Sequence, residues 1–190
     1  MTKYITFLFY LLSTSLYAQI NWSIHTGIIS DTYNGWIKNE KRLAPHISSK
    51  IEYSLDKEYS ISLINSYSIG TSKYQFPDES HGKESIQHIQ NMLSLHWYPI
   101  KEWNIFTGLS LNYLLRDFSL YRDRNLKSSY QTFEKGVHIG TSYLHNRFQF
   151  SLLYYNGFTI DIDKGKGSDF VYFINIKSVN LSIGYLILNK

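Results

Sequence analysis

Three groups of residues in this chain have side chains that could do chemistry. The first is His46-Ile47-Ser48, with Glu52 or Glu58 nearby. A serine nucleophile needs a base within hydrogen-bond reach and a third group to orient that base. In an extended chain the two-residue spacing puts His46 and Ser48 on the same face. The second group is ionic and imidazole: Lys50, Glu52, Arg116, His25, His96 and His138. A metal would need three or four of these to converge at about 2 Å. The histidines lie on nonadjacent segments, and nothing in their spacing shows such convergence. The third group runs from Asp161 to Ser168. Asp161-Ile162-Asp163-Lys164-Gly165 begins like a calcium loop but lacks its later acids and closing glutamate. Gly165-Lys166-Gly167-Ser168 lacks the spaced first glycine of a phosphate-binding loop. Both read as a solvated hairpin tip, and no motif requires a cofactor.

The elements that must position these residues are strands. Eight segments alternate apolar and polar residues, at about 20–29, 46–55, 59–70, 89–97, 103–116, 137–143, 148–155 and 179–187. The polar face holds Ser, Asn, Gly and His, and it includes Lys50, Glu52, Arg116 and His138. Alternation alone fits either a soluble sandwich or a membrane barrel. The connections decide between them. Those before the third, fifth and seventh segments are tight: Asp56-Lys57, Pro99-Ile100-Lys101 and His145-Asn146. Those before the second, fourth, sixth and eighth are roughly 10–20 residues, against a usual 2–5 for a hairpin. Each segment also carries one aromatic on its apolar face toward the tight-turn end: Trp22, Tyr53, Tyr59, Trp97, Trp103, Tyr143, Phe148 and Tyr185. Rings with an apolar body and a polar edge settle at membrane–water interfaces. A soluble sandwich has no reason to place aromatics by strand direction.

The expected fold is all-β: an eight-stranded antiparallel up-and-down transmembrane barrel. Short turns and both termini face the periplasm, and long loops face outward. In such a barrel the polar face lines the lumen, and the ionic residues there read as a packed network.

Composition agrees with this. Aromatic residues make up 17% of the 190-residue chain and charged residues only 18%. The mean hydropathy of −0.26 conceals a lipid-facing surface, because only alternate residues contribute to it. The net charge of +4 is mild and mixed in sign, so there is no nucleic-acid footprint. The absence of cysteine excludes both a lipoprotein anchor and a disulfide framework. Lys3, the apolar run Tyr4–Leu12 and Ala18 read as a signal peptide spanning residues 1–18. That leaves 19–190 as one domain. Beyond the tight-turned wall, apolar alternation continues through Phe158, Ile160 and Ile162. Tyr172, Ile174 and Ile176 then fall out of phase with Val179 onward, which predicts a β-bulge at Lys177-Ser178. The hairpin above it, with the loop around Trp36 and the Tyr121–Arg124 loop, is the predicted partner-binding surface, with Trp36, Tyr121 and Tyr172 as contact candidates.

The Ala18-Gln19 junction, Leu95-His96-Trp97-Tyr98-Pro99 with Thr107-Gly108-Leu109, and Val179-Asn180-Leu181-Ser182-Ile183-Gly184-Tyr185 carry a resemblance. The mature chain resembles the small eight-stranded outer-membrane β-barrel family. Within it, the chain looks like the outer membrane protein beta-barrel domain of Bacteroidota type, related in architecture to OmpX and the OmpA membrane domain. It departs from the family's usual aromatic end in closing on Leu188-Asn189-Lys190. The resemblance implies a fold, a Gram-negative outer-membrane location, and contact with outer-membrane lipid and lipopolysaccharide. The family has no single activity. A non-enzymatic structural, adhesion or accessory-complex role follows, with another envelope or surface protein as partner. The alternatives are a narrow channel and a lipid-modifying hydrolase. A lipid A deacylase of this fold uses His-x-Ser with an acid, but here Ser49 stands where that family has Asn.

Overall fold

In the computed structural model, residues 20–34, 42–75, 81–121, 126–165 and 168–189 are described, and all eight of their elements are strands. They are β1 (Ile20–Asn34), β2 (Arg42–Ser54), β3 (Tyr59–Gln75), β4 (His81–Ile100), β5 (Trp103–Tyr121), β6 (Leu126–His145), β7 (Phe148–Gly165) and β8 (Ser168–Asn189). Each strand pairs antiparallel with the next. β8 pairs back onto β1, with Val179 opposite Ser30 and Tyr185 opposite Ile24, so the sheet is a closed barrel. Closure leaves no strand with an unpaired edge.

Local chemistry explains the turns at one end. The Asp56 carboxylate accepts hydrogen bonds from the backbone N–H groups of Glu58 and Tyr59, both at 2.7 Å. This is the Asx geometry that favours Asp in tight turns. Asn146 holds the left-handed conformation, φ 57°, that a two-residue hairpin demands. Pro99 and Ile100 lie within β4, and Lys101-Glu102 makes the turn instead.

Two expectations need correction. The strands extend well past the segments marked by apolar alternation: β1 runs on to Asn34, β2 begins at Arg42, and β3 and β4 pair as far as Gln75 and His81. The segments expected as long loops are largely paired hairpin arms. Hydrogen bonding between strands continues after the outward residues have turned polar, and period-two hydropathy does not report that. The bulge at Lys177-Ser178 is also absent. Asn156 pairs with Lys177 and Thr159 with Ile174 in one unbroken register. Ile176 is fully buried inside and Lys177 is exposed, so the phase never changes. What changes is the interior, which becomes apolar at that level, so an apolar Ile176 does not mark the outside. The described register break in β8 lies elsewhere, opposite Trp22 and Ser23.

The interior is packed. Ile64, Met92, Phe106, Leu153 and Tyr155 form a buried apolar cluster across the lumen. Tyr155 fits because glycine lies beside it: a Cβ on Gly136 would stand 2.3 Å from its ring. Replacing Gly136 with Val is expected to destabilise the barrel by about 1–3 kcal/mol, the usual cost of overpacking. Urea titration of the folded protein, followed by tryptophan fluorescence, measures this.

Candidate functional site

The barrel lumen is where the residues with chemical potential gather, because its walls alternate. Lys50, Glu52, His46 and Ser48 project inward from β2, His25 from β1, His96 from β4 and His138 from β6, all buried. At the tight-turn end the Lys50 ammonium donates to Glu52 at 2.6 Å. Glu52 also accepts from the hydroxyls of Ser60 and Tyr98. A buried ion pair is tolerated only when its remaining lone pairs are satisfied, and these hydroxyls satisfy them. Beside the pair, His96 meets Ser62 at 2.7 Å and Asn104 at 3.3 Å. The chain continues through Ser142 to Gln149. His138 is held separately, by Ser94 at 2.8 Å and Ser110 at 2.9 Å.

These contacts decide what the expected site residues can do. His25 is bonded to Ser23 and His46 to Asn180. Among the described residues no hydrogen bond joins His46 to Ser48, and Glu52 is engaged by Lys50. The trio therefore lacks the geometry of a catalytic triad, and it faces the lumen rather than lipid. No three His, Asp or Glu side chains converge on a point among the described residues. The space between His25, His46, Lys50, His96 and Phe106 is a cavity of about 30 Å³, room for a water or two.

A second network lies toward the other end of the lumen and was missed in the sequence. Arg42 binds Asp31 through Nε at 2.9 Å and through Nη2, and its Nη1 donates to the Ile86 carbonyl at 3.0 Å. Glu134 accepts from Tyr155 at 2.8 Å and from Asn112 at 3.1 Å. All five side chains are buried. The inward phase of Asp31 and Arg42 can be counted from Ile29 and Ala44, and that of Glu134 from His138, but these three lie beyond the expected strand ends; Asn112 and Tyr155 lie within them, with inward phase as expected.

On the outside, Trp22, Tyr59, Trp97, Trp103, Tyr143, Phe148 and Tyr185 are exposed, and Tyr53 is half-buried. They meet as cross-strand neighbours: Tyr59 opposite Trp97, Trp103 opposite Tyr143, and Phe148 opposite Tyr185. Trp22 donates its indole N–H to Ser49 at 3.0 Å. Arg116 stands in register with Ile86 on β4 and Tyr130 on β6. The side chains of Arg116, Tyr121 and Tyr172 lie outside the described residues, as do Trp36 and residues 1–18 altogether.

No family model matches the chain. No curated protein matches it either. Solved structures do. The barrel superposes on Neisserial surface protein A with a TM-score of 0.60 at 13% identity, covering 86% of this chain and 96% of that one. It superposes on Ail, the attachment invasion locus protein of Yersinia pestis, with a TM-score of 0.57 at 11% identity, covering 90% and 99%. The outer membrane protein OprG of Pseudomonas aeruginosa gives 0.51 at 14%, covering 90% and 95%. At these identities the likeness is one of fold. The chain has the fold of the small eight-stranded outer-membrane β-barrels.

Lys50→Met alone should strand the Glu52 charge and cost about 3–5 kcal/mol, whereas the Lys50→Met/Glu52→Leu double variant should recover most of that loss. Chemical denaturation of the three proteins side by side measures the difference.

Proposed function

We propose that this chain is an integral outer-membrane protein with a non-enzymatic role, its barrel a rigid mount for surface-exposed hairpins. One observation carries the membrane reading: the molecule is apolar outside and polar inside. Leu109 is 65% exposed, Leu181 64% and Ile139 54%, while Lys50, Glu52, Arg42 and Asp31 are buried. Water does not tolerate an apolar surface that encircles the molecule, since soluble monomers rarely expose patches beyond a few hundred Å². A bilayer requires one. Residues 1–18 then act as the export signal, and outer-membrane lipid and lipopolysaccharide surround the wall. The eight outward aromatics form the girdle at the periplasmic interface. Expressed from its full gene, the protein should sediment with the outer membrane and migrate faster in SDS gels before boiling than after. Recovery in the soluble periplasmic fraction would overturn the reading.

The packed lumen argues against a channel, and the lumen-facing His46 and Ser48 argue against lipid hydrolysis. Mass spectra of lipid A from cells with and without the gene are expected to coincide. Conductance across planar bilayers is expected to stay at baseline. Outside the bilayer, the surface available to a partner is the set of hairpin ends, with Trp36, Tyr121 and Tyr172 as its contact residues. Support comes from the neighbour Ail, named for attachment and invasion and crystallised with a heparin analogue. Deleting Gly165–Ser168 together with Tyr172→Asp should abolish capture of a surface or envelope partner while leaving heat-modifiable migration intact.

A further inference from the structure

At mid-height the outer wall is apolar on six strands and polar on two. Counting six residues along each strand from its tight-turn aromatic reaches the same depth all round the barrel. Six strands present Ile28, Ile47, Leu109, Val137, Tyr154 and Val179 there, all exposed and outward. β3 and β4 instead present Asn65 and Asn91, also exposed and directly opposite one another. Ser49 of β2 extends the row, in register with Asn65. Six residues at ~3.3 Å each, on strands tilted by ~40°, rise roughly 15 Å, about the middle of the apolar band. Exposed apolar neighbours flank the amides on both sides, Leu63 and Leu93 below, Tyr67 and Ile89 above.

At or below this depth the other outward polar groups are satisfied within the wall; one step higher Lys135, Asn156 and Lys177 also face outward. Thr26, Thr107 and Thr141 donate to cross-strand carbonyls at 3.2, 2.8 and 2.9 Å. Ser49 accepts from Trp22. Asn91 spends one N–H on the Leu111 carbonyl at 3.4 Å, leaving its amide oxygen and second N–H. The Asn65 side chain makes no hydrogen bond among the described residues. A polar group facing hydrocarbon without a partner is costly, and such groups in membrane proteins face other protein.

Resting on the membrane reading above, we propose that the β3–β4 wall is a self-association surface, where a second copy packs side by side and pairs Asn65 and Asn91 amide to amide. Depth excludes the other occupants. Lipid headgroups and water lie roughly 15 Å below and roughly 10 Å above, and lipid chains offer no hydrogen bond. A second copy inserts in the same orientation. A two-fold axis along the membrane normal therefore brings equal depths face to face. An amide carries both donor and acceptor, so it is its own complement. The flanking leucines supply the close-packed surround.

The chain has no cysteine, so a single introduced one reports proximity cleanly. Leu93→Cys lies beside the amides; Val179→Cys lies on β8, across the barrel. In outer membranes treated with a thiol oxidant, Leu93→Cys should form a disulfide dimer and Val179→Cys should not. Adding Asn65→Leu/Asn91→Leu should cut that dimer about tenfold, the scale of one or two hydrogen bonds within a membrane. Heat-modifiable migration should persist, because these changes only make a lipid-facing surface more apolar. A folded, membrane-inserted Leu93→Cys protein that stays monomeric would sink the inference and leave the membrane reading standing. So would equal crosslinking at both sites, or crosslinking indifferent to the leucines. Recovery of the protein outside the membrane would remove both.

Discussion

Closure of the sheet is the constraint on which everything else depends. A hydrocarbon surround offers no hydrogen bonds, so every backbone N–H and C=O facing it must be paired within the protein. Eight strands meet this only because β8 returns to β1. Once the ring is closed, each strand has one apolar face outward and one face toward a narrow interior. The alternation of the whole chain is the imprint of those two environments.

The interior is too narrow to stay empty and too polar to pack like a soluble core. An eight-stranded barrel leaves just enough room for its own side chains. Here the room is used in layers. Lys50 and Glu52 neutralise each other at the tight-turn end, surrounded by hydroxyls and amides. Phe106 stacks on His96 with ring centres 4.9 Å apart and joins Met92, Ile64 and Leu153 in an apolar plug. Beyond it Arg42, Asp31, Glu134 and Tyr155 form the second polar layer. Charges that would be costly alone become tolerable because each is met by fixed partners. The same contacts hold the histidines in place, His138 between Ser94 and Ser110.

Much of the fold was legible before any coordinates. Trp22, Tyr59, Trp97 and their equivalents marked one end of every strand, and the phase counted from them put Lys50, Glu52, His96 and His138 inside. The expected bulge and the early strand ends rest on the rule that apolar means outward. It fails at Ile176, Leu114, Ile86 and Ile29, which are apolar and buried in the lumen. It also ended the strands where outward residues turned polar, hiding Arg42, Asp31 and Glu134.

The sequence by itself determined the strand count, the phase of each strand and the end at which the aromatics gather. These are local periodic properties, readable over a few residues of chain. Only the tertiary structure decided which inward side chains touch. Lys50 and Glu52 are near neighbours on one strand, but Glu52 and Tyr98 are 46 residues apart, and Asn180 and His46 are 134 apart. Such pairs are set by the register between strands. Register belongs to the closed sheet as a whole, because all eight hydrogen-bonded ladders must agree at once.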